Sequence, residues 1–228
     1  MGSVNASMIG INERTTMDMD TTVQGIPMEE GIIESIWKEI FGIDVDDGIE
    51  FVYDRIAPIR EDDSYNNFRI FFFARQGKIN NPMRIDITTG DRITPAAIEY
   101  NYRTIFNDGT IPVKAYNLET IIAEKYATII RRNIGTTRAR DFYDVHILYK
   151  LYKGTISIKT LSEAVKRTSA KRNSSEELNR WEEIISELKE DTAIKLLWEN
   201  YQKENTYAGS YSYQDVIGTV RIIGSLIN

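Results

Sequence analysis

The spacing of the apolar residues changes near Asn117, and this change constrains the fold more than any other feature of the sequence. Before it, short segments rich in β-branched and aromatic residues alternate with turn residues, a pattern that predicts β-strands. The clearest of these segments are residues 15–23, 49–59, 68–74 and 83–88. After it, apolar residues recur with the period of amphipathic helices. The sequence therefore predicts an α+β protein, with a sheet-containing lobe over residues 1–115 and an α-helical lobe over residues 116–228.

Composition excludes several kinds of active site. The chain has no cysteine and a single histidine, His146, which removes disulfides, thiolate metal sites and multi-histidine metal sites and argues against a Ser–His hydrolase. No run of about 18 apolar residues is present. No secretory signal is evident either, so we expect a cytoplasmic protein without a membrane span. Any chemistry must then rest on carboxylates, lysine and arginine.

The net charge of −6 is unevenly distributed along the chain. Residues 1–115 carry 11 Lys and Arg against 19 Asp and Glu, whereas residues 116–228 carry 17 against 15. An acidic lobe beside a mildly basic one suits a site that binds metal on one wall and phosphates on the other. Solvated helix faces explain scattered charges equally well, so the distribution alone does not decide between them.

Two aspartates, Asp18 and Asp20, stand one residue apart in the predicted strand 15–23. Because side chains alternate between the faces of a strand, both carboxylates point the same way, about 6.6 Å apart along the chain. Mg²⁺ prefers carboxylate oxygens and keeps positions open for substrate phosphates. The pair is a candidate metal-binding element of a phosphoryl-transfer site, although a solvated strand face would show the same pattern.

A third aspartate, Asp86, lies in the middle of the predicted strand 83–88. The alternation of that strand places Asp86 on the face opposite its apolar members, which are Met83, Ile85 and Ile87. A charge in the middle of a strand is unusual unless that face is wet or the charge has a partner.

Three charged residues interrupt the apolar stripes of the first two helices of the predicted helical lobe. Asn117 is a plausible N-cap for the first helix. Lys125 falls within that helix's apolar stripe, where its ammonium group must either extend to solvent or meet an anion. Asp141 and Asp144 project onto the buried face of the next helix, predicted over residues 137–153, whose apolar members are Val145, Leu148, Leu151 and Tyr152. Buried carboxylates are costly unless cations or backbone donors compensate them. These positions therefore need partners.

Several motifs together carry a resemblance to a known family. Gly2-Ser3, then 14 residues, then Asp18-Met19-Asp20 and a later Ile85-Asp86-Ile87 look like the motifs of the DNA polymerase β nucleotidyltransferase superfamily. More closely, the chain resembles the AbiEii/AbiGii family of abortive-infection nucleotidyltransferase toxins from residue 1 to about residue 153. Four blocks carry this closer similarity: ERTTMDMD, RIDITTGDRITP, NLETIIAEK and RARDFYDV.

The resemblance implies a mixed β-sheet catalytic lobe with flanking helices, followed by the helical lobe. By analogy, two Mg²⁺ ions would be bound by three aspartates, with Asp18 and Asp20 touching both ions and Asp86 completing the site near the attacking hydroxyl. The Gly2-Ser3 turn would let backbone N–H groups and the Ser3 hydroxyl approach the β- and γ-phosphates.

The resemblance also suggests roles for the other charged residues. Lys125 and Arg140, which stands where lysine is frequent in the family, would neutralise triphosphate charge. Asp141 and Asp144 would orient those cations or position the base or ribose, the alternative being an internal ion-pair clasp between lobes. Arg14 would either guide phosphates into the site or simply pair with neighbouring acids.

The function implied is that of a toxin with a cognate antitoxin. It would transfer a nucleoside monophosphate from an NTP to an acceptor such as an RNA or tRNA end, which the basic second lobe could cradle through phosphate contacts. Two alternatives remain open on the same fold. One is a catalytically silent nucleotide-binding or protein-interaction module, and the other is an enzyme that nucleotidylates protein.

Overall fold

The computed structural model describes residues 19–59, 67–89, 93–103 and 109–228. The chain forms two compact units, residues 1–91 and residues 92–228. Four of the predicted site residues lie outside the described residues: Gly2, Ser3, Arg14 and Asp18.

The described part of the first unit is a four-stranded mixed sheet with one helix. The elements are β1 (Met19–Val23), α1 (Glu30–Phe41), β2 (Glu50–Pro58), β3 (Phe68–Gln76) and β4 (Ile79–Thr89). The strand order is β1-β4-β3-β2, with β1 parallel to β4 and the other two pairings antiparallel. The strands expected from alternation at 49–59, 68–74 and 83–88 are confirmed, with ends that differ by a few residues.

One face of this sheet forms the core of the unit. The alternation of β3 and β4 directs apolar side chains to that face, where α1 packs against them through its own apolar side. The buried members are Ile33, Phe68, Ile70, Phe72, Ile85 and Ile87, and the ring of Phe41 stacks on Phe72 with centroids 4.6 Å apart. The same alternation sends the polar residues of β1, β3 and β4 to the opposite face.

The second unit opens with a hairpin and continues as helices. The hairpin pairs β5 (Ile98–Arg103) with β6 (Thr110–Ala115) in antiparallel register. The helices are α2 (Leu118–Arg132), α3 (Ala139–Tyr152), α4 (Ile158–Lys171), α5 (Ser175–Asn179), α6 (Trp181–Glu190), α7 (Thr192–Glu204) and α8 (Tyr213–Ile227). Residues 175–190 form two helices, α5 and α6, because the backbone turns at Arg180. Across the described ranges, no helix is both long and apolar enough to cross a membrane.

The boundary between the compact units lies before the β5–β6 hairpin, whereas the sequence placed the division of lobes at residue 115. The hairpin connects directly to α2 through Asn117, whose side chain accepts a hydrogen bond from the Thr120 backbone N–H at 2.8 Å. This confirms Asn117 as the N-cap. The same side chain donates to the carbonyl of Thr94, so residues on both sides of the hairpin meet at the start of α2.

The apolar stripes of α2 and α3 follow the predicted period. Ile121, Ile122 and Ile129 in α2 are buried, as are Val145 and Leu148 in α3. The expectation that Leu151 is buried is wrong, because it is 53% exposed near the end of α3.

Gly224 allows α8 to approach its neighbours closely. A Cβ placed there would lie 2.4 Å from Cε3 of Trp181 and 2.8 Å from the hydroxyl of Tyr126. The Tyr126 side chain is completely buried in α2, so it has little room to withdraw. Gly218, also in α8, has nothing within 4 Å of an added Cβ.

We expect Gly224→Ala to lower the free energy of unfolding by about 1–3 kcal/mol, because the added methyl overpacks the contact with Trp181 and Tyr126. Urea denaturation followed by far-UV circular dichroism measures the change. Gly218→Ala is the matched control in the same helix, and we expect it to be neutral or stabilising by up to about 1 kcal/mol because alanine favours helix. Equal destabilisation by both substitutions would contradict the packing argument.

Candidate functional site

The pairing of β1 with β4 brings two of the predicted site carboxylates side by side. Met19 pairs with Ile85 on the core face, and the next rung pairs Asp20 with Asp86. Adjacent strands lie about 4.8 Å apart, so the two aspartates are neighbours on the face opposite the core. Alternation had placed Asp86 on this face, and the structure confirms that placement.

Threonine hydroxyls reinforce this short edge pairing. Thr21 Oγ1 donates to the carbonyl of Asp86 at 3.3 Å, and Thr88 Oγ1 donates to the carbonyl of Thr21 at 3.2 Å. Such bonds across the strands fix the register of β1, which has only five residues. Register decides which carboxylates are neighbours, because a slip of one residue would turn Asp20 to the other face.

Arg69 on β3 holds Asp86 through two hydrogen bonds. The Arg69 Nε–H donates to Asp86 Oδ1 at 2.6 Å, and Nη2–H donates to Oδ2 at 2.7 Å. The side chains of Arg69 and Asp86 are 32% and 17% exposed. A fork-shaped contact of this kind fixes the plane of the carboxylate as well as its charge. The charge in the middle of β4 thus has the partner that its position requires.

Arg69 was missed in the sequence, although a signal for it was present. It is a charged residue between Phe68 and Ile70 in an otherwise apolar strand, the same kind of interruption that singled out Asp86. Only the register of β3 against β4, which places Arg69 directly opposite Asp86, shows that the two interruptions belong together.

The donor set on this face is of the type that Mg²⁺ uses. Asp20 and Asp86 supply carboxylate oxygens from adjacent strands, and hard divalent cations prefer oxygen ligands. No group of three or more His, Asp or Glu side chains within the described ranges could hold a metal ion. The predicted third ligand, Asp18, lies outside those ranges, and so do Gly2, Ser3 and Arg14. Their roles stay predictions.

A second charged cluster lies within the helical unit. Lys125 Nζ on α2 is 2.5 Å from Asp144 Oδ2 and 3.6 Å from Asp141 Oδ1, both on α3. The side chains of Asp144 and Asp141 are 0% and 2% exposed, and that of Lys125 is 20% exposed. The prediction that Asp141 and Asp144 are buried and that Lys125 meets an anion is confirmed.

Arg138 is the second cation of this cluster. Its Nε–H donates to Asp141 Oδ2 at 2.8 Å, whereas Arg140 is exposed at the start of α3. Asp141 lies in the first turn of α3, where the positive end of the helix dipole also favours a carboxylate. The sequence analysis names Arg140 and misses Arg138. The spacing of three residues between Arg138 and Asp141, which suits an ion pair at a helix start, is the signal that could have identified Arg138.

The helical cluster balances two negative charges with two positive charges. Lys125 donates one hydrogen bond, to Asp144 Oδ2 at 2.5 Å, whereas its 3.6 Å approach to Asp141 Oδ1 is an ion-pair contact without a hydrogen bond. The cluster therefore orients the Lys125 ammonium group toward the two carboxylates. Both partners of the ion pair belong to the helical unit, so the clasp joins α2 to α3 and not one lobe to the other.

The family comparison identifies the chain. The protein is an α+β nucleotidyltransferase. Residues 6–217 match the family described as Nucleotidyl transferase AbiEii toxin, Type IV TA system, and the chain belongs to this family. Membership of a toxin–antitoxin family implies a cognate antitoxin.

Two crystal structures are similar to this chain. One is a candidate nucleotidyltransferase from H. pylori, 15% identical, with a TM-score of 0.47 over 98% of this chain and 84% of that chain. The other is JHP933 from Helicobacter pylori, 15% identical, with a TM-score of 0.45 over 98% of this chain and 82% of that chain. No curated protein matches the sequence.

We expect Lys125→Met to lower the free energy of unfolding by about 3–5 kcal/mol, because it leaves the buried carboxylate of Asp144 uncompensated. Adding Asp144→Asn should recover part of this loss, since the second substitution removes the uncompensated charge. Urea denaturation of the two single variants and the double variant measures the coupling.

Lys153→Met is the control for this cycle. It removes a lysine from the exposed end of α3, and its effect should stay within about 0.5 kcal/mol. Additive losses at Lys125 and Asp144 would contradict the ion-pair account.

Proposed function

We propose that this protein is a Mg²⁺-dependent nucleotidyltransferase that transfers a nucleoside monophosphate from an NTP to the end of an RNA such as tRNA. The observation that carries the proposal is the register of β1 and β4, which sets Asp20 beside Asp86 on the sheet face opposite α1. Membership of a nucleotidyltransferase toxin family supports the class of reaction.

The reaction replaces a phosphoanhydride bond with a phosphodiester bond. The terminal hydroxyl of the acceptor attacks the α-phosphorus and a new P–O bond forms. The bond between the α-phosphorus and the oxygen that bridges to the β-phosphorus breaks, and pyrophosphate leaves. The attacking hydroxyl gives its proton to solvent water. Mg²⁺, when bound, supplies Lewis-acid stabilisation of the attacking and leaving oxygens. Asp20 and Asp86, with Asp18 as the further proposed ligand, would hold it.

The chain's own residues position these groups. Arg69 fixes the orientation of Asp86, as hydrogen-bonded partners do for ligating carboxylates. Lys125, oriented by Asp141 and Asp144, would supply a positive charge to the triphosphate. Gly2, Ser3, Arg14 and Arg140 complete the proposed nucleotide-binding set.

The biological role that follows is inhibition of growth. Modification of an RNA end in the cytoplasm would block the use of that RNA, and the cognate antitoxin would relieve the effect. Family membership supports the toxin role, and the nature of the acceptor is the part that experiment must decide.

The direct test is transfer of label from each of four α-³²P-labelled NTPs to total RNA and to purified tRNA in the presence of Mg²⁺. We expect transfer by the wild type, none in EDTA, and recovery when Mg²⁺ is added back. Asp20→Asn and Asp86→Asn should each lose more than the ~10–100-fold typical of a residue that only supports a metal ligand. Gel electrophoresis of the products measures the rate.

Glu39→Gln is the matched control, because it removes one carboxylate from the exposed side of α1 in the same unit. Its rate should equal that of the wild type. Label found in protein and not in RNA would identify a protein-nucleotidylating enzyme. NTP binding without transfer, unchanged in Asp20→Asn and Asp86→Asn, would identify a silent nucleotide-binding module and overturn the proposal.

A further inference from the structure

The face of the first unit's sheet opposite α1 carries more than the two carboxylates. Alternation places Arg84 of β4 on this face with Asp86, and Phe71 of β3 on it with Arg69. On β2, Arg55 pairs with Phe71 and so shares the same face. In the described part of this unit the only helix is α1, and it packs on the opposite face.

Strand register aligns three of these residues in one row across the sheet. Arg84 pairs with Phe71, and Phe71 pairs with Arg55. We call this row the Arg–Phe–Arg rung. It lies two residues along β4 from Asp86, or about 6.6 Å, and its members are spaced by about 4.8 Å from strand to strand. The rung therefore begins on β4, next to the proposed metal-binding Asp86, and extends across β3 to β2, away from β1.

The rung places cationic groups and an aromatic ring on one surface. The Arg55 guanidinium carbon lies 3.9 Å from the centre of the Phe71 ring and so covers one face of it, and the Arg55 side chain is 61% exposed. Bases stack on guanidinium planes as well as on aromatic rings, so the Arg55–Phe71 pair can act as one stacking surface. Arg55 also pairs with Asp54 at the surface, but exposed ion pairs contribute little and exchange readily. Arg84 is exposed and Phe71 is half-buried. None of the three belongs to the hydrophobic core.

A β-bulge explains why the rung forms at all. The β2–β3 register shifts between Tyr53 and Arg55. Tyr53 therefore stays on the core face, while Arg55 lies on the other face, paired with Phe71 on β3. Bulges commonly redirect a side chain near a functional site. Asp54, the residue left out of the pairing, is the one that contacts Arg55.

We infer that the Arg–Phe–Arg rung binds the terminal nucleotides of a single-stranded RNA acceptor and leads its end toward Asp86. Single strands are bound by grooves in which cations contact phosphates and aromatic rings stack on bases, and the rung offers both in one row. The chain as a whole carries a net charge of −6, so its overall charge does not attract RNA, and binding must rest on a local patch. The inference rests on the proposed function.

The test measures RNA binding separately from catalysis. The full chain is titrated into a fluorescent single-stranded oligoribonucleotide, without NTP, and anisotropy is recorded between about 50 and 200 mM KCl. Arg84→Gln and Arg55→Gln should each weaken binding by about threefold or more and reduce the slope of log K against log salt by about 0.7, the value for one lost phosphate contact on a single strand. Phe71→Leu should weaken binding by about 5–100-fold with the slope unchanged.

Lys78→Gln is the charge-matched control. It removes one positive charge from the exposed turn between β3 and β4, and it should leave affinity and slope as in the wild type. In the transfer assay, the two arginine variants should raise KM for RNA and leave kcat and KM for NTP unchanged. Circular dichroism spectra that match the wild type confirm that the variants are folded.

The outcomes separate this inference from the proposed function. Label transfer with an unchanged KM for RNA in Arg84→Gln and Arg55→Gln overturns the rung and leaves the function standing. A raised KM for NTP instead assigns the rung to the nucleotide and overturns the inference. A wild type that binds the oligoribonucleotide through the rung but transfers no label overturns the function alone. The inference is also overturned if Lys78→Gln loses as much RNA affinity as the arginine variants, or if the wild type does not bind the oligoribonucleotide.

Discussion

The pairing of β1 with β4 is the constraint on which the candidate catalytic face depends. Successive side chains of a β-strand point to opposite faces of the sheet. Because Ile85 and Ile87 are buried on the face that packs against α1, Asp86 lies on the other face. The parallel register then sets Asp20 next to it. Core packing and the placement of the carboxylates are thus coupled. A register shift that moved the carboxylates to the other face would also move the apolar side chains out of the core.

Both charged clusters solve the same physical problem in different ways. A carboxylate that leaves water needs a compensating charge or several hydrogen bonds. On the sheet, Arg69 provides a planar pair of hydrogen bonds to Asp86 at a half-buried position. In the helical unit, Lys125 pairs with Asp144 and Arg138 pairs with Asp141, and both carboxylates are deeply buried. A guanidinium group donates hydrogen bonds in a fixed plane, whereas an ammonium group is a compact charge with rotatable donors.

Much of the fold followed from periodicity alone. Alternation identified β2, β3 and β4, and the helical period identified the following helices, because burial of one face imposes those periods on sequence. The break at Arg180 and the exposure of Leu151 were not foreseen, since each depends on where neighbouring helices end. The grouping of the β5–β6 hairpin with the helices depends in the same way on contacts distant in sequence.

The sequence by itself determined which residues need partners: Asp86 in the middle of an alternating strand, Lys125 in an apolar stripe, and Asp141 and Asp144 on a buried helix face. These charges are visible in a linear pattern because the period of the apolar residues assigns each position to a face. The structure decided the partners, pairing Arg69 with Asp86 and Arg138 with Asp141. The second pair has a spacing of three residues, which the start of a helix brings into contact. The first pair depends on strand order and register, which no spacing along the chain encodes, because the two strands are brought together only by the tertiary fold.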